Sequence, residues 1–126
     1  MSKGVGVCMI KEVDWEYIKK FFRPFPANIF VLPKYEHFFA LEDEHPVSMI
    51  GINKGKIACL YTLPTAERKG YASELVRFAI EKYGTLEVLA NENSMIVYSR
   101  AGFNVLKCYD RINSKGKHYR LWRMKI

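Results

Sequence analysis

The sequence predicts a mixed α/β fold, a sheet with helices packed on it, and three features predict it. Strand-like runs follow one another from His37 to Leu63 with only turn residues between them. The last of these runs, Ile57-Ala58-Cys59-Leu60-Tyr61-Thr62-Leu63, is apolar at nearly every position, so both its faces are expected to be covered and the strand to lie centrally. A helical repeat then opens directly, bracketed by Gly70 and Gly84. The expected order is helix, three strands, helix, strand, helix, two strands, within a single domain spanning residues 1–126.

Each element has its own signals. Asp14 reads as an N-cap, and Trp15, Ile18 and Phe22 recur at helical spacing behind it. Lys19, Lys20 and Arg23 crowd the end of that helix, where cations suit its dipole, and Pro24 stops it. The stretch holding Pro24, Pro26 and Pro33 is long for a connection, which marks it as a candidate functional loop. Strands are expected over 37–43, 47–53 and 56–63, with a turn at Glu44-His45-Pro46 and a tight one at Lys54-Gly55. Pro64 ends the third strand. Leu75, Val76, Ala79 and Ile80 give the helix from about Tyr71 to Tyr83 its apolar stripe, and Gly84 caps it. Leu86 to Leu89 reads as a short strand, and Asn93 to Arg100 as a short helix closed by Gly102. Phe103 to Asp110 and Lys117 to Met124 form a final hairpin around Asn113-Ser114-Lys115-Gly116.

Charge is unevenly placed. Residues 1–99 carry 12 Lys/Arg and 12 Asp/Glu, whereas the last 27 residues carry eight basic side chains against Asp110 alone, so the whole +7 excess lies there. A basic segment of this kind suits a polyanionic partner. Cys8, Cys59 and Cys108 match no metal spacing and are odd in number, which suits reduced thiols in a cytoplasm. The start shows no signal-peptide pattern, and the longest apolar run falls far short of the ~20 residues of a membrane helix, so a soluble intracellular protein without membrane contact is expected.

Chemistry is carried by Tyr61-Thr62-Leu63-Pro64-Thr65-Ala66-Glu67-Arg68-Lys69-Gly70-Tyr71-Ala72-Ser73. A buried strand runs into a turn with Arg, Lys and Gly, and a helix opens at once. The first amides of such a helix lack intrahelical partners and lie at the positive end of its dipole, which is a phosphate-binding arrangement. Neither the Walker pattern nor Gly-x-Gly-x-x-Gly is present. A second segment, Asn91-Glu92-Asn93-Ser94-Met95-Ile96-Val97-Tyr98-Ser99-Arg100-Ala101-Gly102-Phe103, follows the next short strand.

Together the two segments resemble the GNAT superfamily of acyl-CoA-dependent N-acetyltransferases. Gly70 and Ala72 fit its Arg/Gln-x-x-Gly-x-Gly/Ala turn. Asn91, Ser94, Tyr98, Gly102 and Phe103 fit its Asn-x-x-Ala/Ser-x-x-x-Tyr-x-x-x-Gly-Phe segment without a gap. The Tyr-Thr-x-Pro entry and Ser94 look most like the FR47-like branch. The resemblance implies a central, splayed, mostly antiparallel sheet flanked by helices, and acetyl-CoA as cosubstrate with no metal. It implies that the backbone of Leu60, Tyr61 and Thr62 meets the pantetheine arm and polarises the thioester carbonyl. The turn amides of Glu67, Arg68, Lys69, Gly70, Tyr71, Ala72 and Ser73 would hold the pyrophosphate. Asn91, with Ser94 beside it, would meet the pantetheine region, and Tyr98 would protonate the leaving thiolate. The acceptor would be a small-molecule or peptide amine, and Trp15, Tyr17, Phe21, Phe22, Phe25 and Phe30 would be mainly core, with some lining its pocket. The oligomeric state stays open, a homodimer being one option.

Without the motifs, Tyr98 reads as a packed core tyrosine, Asn91 as a turn residue, and Arg68 and Lys69 as solvated charges. Two positions depart from the family pattern. Glu67 stands where Arg or Gln is usual, and the strand from Lys56 to Leu63 holds no Asp, Glu or His to act as base, Glu87 on the next strand being a weak candidate. These departures motivate an alternative, a non-catalytic CoA- or partner-binding module of the same fold. Nucleic-acid binding is the weaker third reading, prompted by Arg111, Lys115, Lys117, Arg120 and Arg123 interleaved with Tyr109, Tyr119 and Trp122. In the enzyme reading that basic surface attracts CoA or selects an acidic acceptor.

Overall fold

The computed structural model describes residues 8–22 and 37–126. A strand, β1 (Cys8–Val13), precedes the first helix, α1 (Trp15–Phe21). Three strands follow, β2 (His37–Asp43), β3 (His45–Asn53) and β4 (Lys56–Thr62), then α2 (Tyr71–Tyr83), β5 (Glu87–Ala90), α3 (Glu92–Arg100), β6 (Asn104–Ile112) and β7 (His118–Lys125). The seven strands form one sheet in the order β1-β2-β3-β4-β5-β7-β6, antiparallel throughout except between β4 and β5. The mixed α/β architecture is the expected one.

β1 is an element the sequence reading lacked. Cys8 and Ile10 turn inward and Met9 and Lys11 outward, but Glu12 breaks the alternation, and six residues leave a weak signal. Pairing Cys8 with Asp43 and Val13 with Phe38 makes β2 an interior strand. The turn expected at Glu44-His45-Pro46 shrinks to Glu44 alone, at φ +70, and β3 already begins at His45. Pro46 is accommodated because it sits beside a register shift opposite Leu41 and Glu42, a place where a missing N–H disturbs the ladder least. The Lys54-Gly55 turn forms as expected, with φ +51 and +78, the twist that a two-residue hairpin needs. The stretch holding Pro24, Pro26 and Pro33, together with Arg23, Phe25 and Phe30, lies outside the described residues.

Two apolar clusters cover the two faces. On one face Leu75, Val76 and Ala79 of α2 pack on Leu41, Ile50, Ile52, Ile57 and Val88, with Tyr98 and Phe103 closing the far side. On the other, Ile18 and Phe22 of α1 pack on Phe38, Ala40, Met49 and Cys59. Ile57 and Cys59 therefore serve opposite faces although they are two residues apart. The register explains this: Ile52 pairs with Ile57 but Gly51 pairs with Cys59, so Ala58 is an extra residue, a bulge that inverts the alternation.

The same bulge marks where β4 leaves β5. Their parallel ladder has two rungs, Lys56 to Glu87 and Ile57 to Val88, and then stops. Beyond it β4 continues along β3 from Cys59 to Thr62, while β5 continues along β7 from Leu89 to Ala90. The strands part toward their C-terminal ends, as the splayed sheet of the resemblance implied.

Candidate active site

The site is the opening between the C-terminal halves of β4 and β5 and the two segments that leave those ends. Leu60, Tyr61 and Thr62 are half-buried on β4. Their strand is held to β3 by Ser48, which is fully buried. The Ser48 hydroxyl donates to the Tyr61 carbonyl at 3.1 Å and accepts from the Thr62 hydroxyl at 2.8 Å, so both its polar functions are satisfied. Sequence reasoning passed over Ser48; its signal was a lone polar residue inside an apolar run.

After Thr62 the chain makes a single 3-10 turn, Pro64–Ala66, anchored by the buried Ala66. Glu67 follows in extended backbone, φ −67 and ψ 157, and then Arg68 and Gly70 both take positive φ, +66 and +84. Such alternation curls successive amides toward one side, the kind of concavity that holds anions. Gly70 N-caps α2 without a side-chain cap bond, and the helix ladder begins only with Glu74 N–H to the Gly70 carbonyl at 3.1 Å. The amides up to Ser73 therefore lie ahead of the first helical bond, at the positive end of the dipole. Glu67, Arg68, Lys69 and Gly70 are exposed, Ala72 and Ser73 half-buried, and Tyr71 buried. The Tyr71 hydroxyl donates to the Asp43 carboxylate, a bond that pushes its pKa up to about 12, and ties the first residue of α2 to the end of β2. Nothing local in the sequence announces that pairing, which spans 28 residues.

At the end of β5, Asn91 caps α3. Its side-chain oxygen accepts from the amides of Asn93 and Ser94, each at 2.9 Å, and from the Ser94 hydroxyl at 3.2 Å. The Ser94 hydroxyl in turn accepts from the Asn91 amide at 3.1 Å, completing a capping box. These bonds give Asn91 and Ser94 a local structural duty and engage the oxygen of the Asn91 side chain, not its NH₂. One turn later Tyr98 is 2% exposed, its ring against Phe103 with centroids 5.3 Å apart. The end of the helix is fixed by Phe103 N–H donating to the Tyr98 carbonyl at 3.0 Å and by Gly102 at φ +104. Burial first, and the neighbouring Cys59 thiol second, raise the Tyr98 hydroxyl well above the ordinary tyrosine range. Cys59 belongs to the cluster on the opposite face, so this coupling reaches across the line where β4 and β5 part. Among the described residues the hydroxyl has no hydrogen-bond partner.

The structure thus gathers three sequence-predicted groups around the C-terminal ends of one parallel strand pair: Leu60–Thr62, Glu67–Ser73, and Asn91, Ser94 and Tyr98. Glu87 is not among them. It pairs with Lys56 at the closed end of the ladder, about 16 Å of strand away from Tyr61.

Comparison with known proteins agrees with this fold. No curated protein matches the sequence. Among solved structures, Arabidopsis thaliana NAA60 in complex with acetyl-CoA is similar at TM-score 0.73 and 12% identity, over 94% of this chain and 97% of that one. The ribosomal-protein-S18-alanine N-acetyltransferase of Escherichia coli gives 0.69 and 14% identity, over 94% and 92%. A spermidine N-acetyltransferase chimera from Vibrio cholerae SpeG and hSSAT gives 0.69 and 14%, over 95% of each chain. At such identities the likeness concerns the fold. The sequence itself decides the family: residues 7–103 match the model described as the acetyltransferase (GNAT) family, and the chain belongs to that family.

Proposed function

We propose that the protein transfers an acetyl group from acetyl-CoA to the nitrogen of a primary amine, with Tyr98 giving a proton to the departing thiolate. The observation that carries the reading is a wholly buried tyrosine hydroxyl, without a hydrogen-bond partner among the described residues, beside the opening between β4 and β5. A buried polar group left unsatisfied costs about 1–3 kcal/mol, and a ligand in the opening that accepts from it removes that cost.

In this reading the backbone of Leu60 to Thr62 aligns the pantetheine arm and polarises the thioester carbonyl as negative charge develops there. The amides from Glu67 to Ser73 receive the pyrophosphate at the head of α2. Glu67 offers its N–H from an exposed position while its carboxylate stays in water, so the acidic side chain is compatible with the turn. The Asn91 NH₂ is the group left to meet the pantetheine amides. A neutral amine attacks the thioester carbon, the C–N bond forms, the C–S bond breaks, and sulfur takes the Tyr98 proton. The resulting tyrosinate is a strong base, and through solvent it recovers the proton that the acylated nitrogen sheds. The acceptor is a small-molecule or peptide amine; similar folds are named for a protein alanine and for spermidine, so the fold itself does not choose. The three thiols suit a reducing compartment such as the cytoplasm.

The test is release of CoA thiol with a panel of amines, repeated with Tyr98→Phe. The expected result is a kcat loss of about 10²-fold with acetyl-CoA affinity within about twofold. Full kcat in Tyr98→Phe would falsify the proton-donor role, and calorimetry showing no heat with acetyl-CoA would remove the CoA site altogether.

A further inference from the structure

The face of the sheet that α1 covers over β2, β3 and β4 is open over β5, β7 and β6 among the described residues. The register places Leu89 beside Arg123, Arg123 beside Lys107, Leu121 beside Tyr109, and Tyr119 beside Arg111 on that face. Leu89 and Tyr119 are 55% and 41% exposed. The Lys107 ammonium lies 5.1 Å from the Tyr109 ring centroid and the Arg111 guanidinium 4.8 Å, so two cations flank one aromatic ring. Asp110, the hairpin's single acid, alternates to the opposite face and is paired there with Arg120 at 3.2 Å. No carboxylate of the hairpin therefore balances Lys107, Arg111 and Arg123; the acid on this face is Glu87 of β5, which stands across from Lys125 at the end of the ladder away from the opening.

This face also adjoins the opening. β5 ends where Ala90 pairs with Trp122, and β7 extends past it over His118 to Leu121, at the sheet end where β4 runs from Cys59 to Thr62. The exposed end of the hairpin face and the C-terminal half of β4 thus lie at the same end of the sheet.

We propose that this open, basic and aromatic face docks an acidic polypeptide segment whose free α-amine is the acetyl acceptor. The inference rests on the acetyl-transfer reading above. Charge complementarity selects the occupant: a second copy of this chain would set cation against cation. Nucleic acid offers phosphates, but its exocyclic amines are aromatic and poorly nucleophilic, whereas an acidic peptide carries carboxylates and an aliphatic amine together. An α-amine has an ordinary pKa of about 7.7–8.0, against about 10.4 for lysine, and nearby cations lower it further. Near pH 7 roughly a tenth or more of such an amine is neutral, against well under a thousandth of a lysine, which fits a β4 strand without a carboxylate or imidazole base.

The experiment uses short peptides labelled at the C-terminus, with a free α-amine followed by Asp and Glu, the same peptide with Lys and Arg instead, and the acidic peptide with a blocked N-terminus and one internal lysine. Fluorescence anisotropy reads docking and release of CoA thiol reads transfer. The acidic free-amine peptide is expected to bind at least about tenfold tighter than the basic one, with affinity falling as salt rises. It is also expected to be acetylated where the blocked peptide is not. The double variant Lys107→Glu, Arg111→Glu should reverse the binding preference while keeping the wild-type melting temperature and acetyl-CoA binding heat. Equal binding of acidic and basic peptides, equal acetylation of the blocked peptide, or displacement of the acidic peptide by stoichiometric duplex DNA would each overturn the proposal. Loss of acetyl-CoA heat in the wild type would instead defeat the transfer reading, because anisotropy reports docking without turnover.

Discussion

Tyr71 shows how one side chain sets the geometry of a turn it does not itself line. Its hydroxyl is tied to Asp43 while its backbone opens α2, so the position of the amides ahead of the helix is referred to the end of β2. Tyr71→Phe keeps the ring in its buried place and removes the donor. Losing a hydrogen bond to a charged acceptor is expected to lower stability by about 1.5–3 kcal/mol, read from denaturant midpoints at constant m. Acetyl-CoA KM should rise while kcat changes little, because in the proposed pose this turn holds the pyrophosphate and the thioester lies at the other end of the ligand. Asn91→Ala addresses a different residue with a mainly structural duty. Removing an N-cap of this kind costs about 1 kcal/mol and should let the first turn of α3 fray, visible as faster amide exchange at Asn93 and Ser94.

Among the elements, those with local chemistry were legible and those set by distant pairing were not. α2 runs from Tyr71 to Tyr83 as read, because Gly70 and Gly84 both punctuate it with positive φ. α3 begins at Glu92, one residue earlier than expected, with Asn91 as its cap. The turn and the Asn91-to-Phe103 segment carry spacing that a single sequence displays. The bulge at Ala58 has no such signature, because alanine inside an apolar run reads as one more strand residue. The parting of β4 and β5 was accordingly available from family resemblance and not from periodicity. The tyrosine ties to Asp43 and Glu42 were invisible for the same reason, each partner lying far away in sequence. The hairpin's basic excess was plain in the sequence, but its sorting onto two faces, with Asp110 away from Lys107 and Arg111, needed the register.

Across the molecule, the two apolar clusters are unequal, and α1 with its smaller cluster depends on a polar tie as well. The Tyr17 hydroxyl donates to Glu42, and the Lys11 ammonium lies 3.0 Å from the same carboxylate. The tyrosine bond first and the lysine second hold the Glu42 carboxyl below its ordinary pKa. A carboxyl lowered in the folded state binds fewer protons there than in the unfolded chain. Its stabilisation is therefore present above the ordinary carboxylate range and is lost as pH falls through the lowered value. Glu42→Gln is expected to reduce stability at neutral pH and to flatten the stability profile between about pH 5 and the acid limb. A variant with the wild-type slope in that window would show that Glu42 is not the group titrating. Tryptophan fluorescence follows the outcome, since Trp15 sits on α1, 5.5 Å from the Phe38 ring.

Among the described residues the sheet is joined across its middle by two rungs alone, Lys56 to Glu87 and Ile57 to Val88. In backbone terms the two halves meet like panels along a short hinge, with the apolar cluster under α2 spanning both. Thr62 stands five residues beyond the hinge, a lever arm of about 16 Å at strand rise. A swing of about 4° at those rungs moves its far end by about 1 Å, a displacement large enough to cost a positioned reaction about 10²-fold. Ile57 and Val88 at those rungs, with Ile52 beside Ile57 on β3, belong to one apolar cluster, so trimming them is expected to alter the width of the opening from a distance.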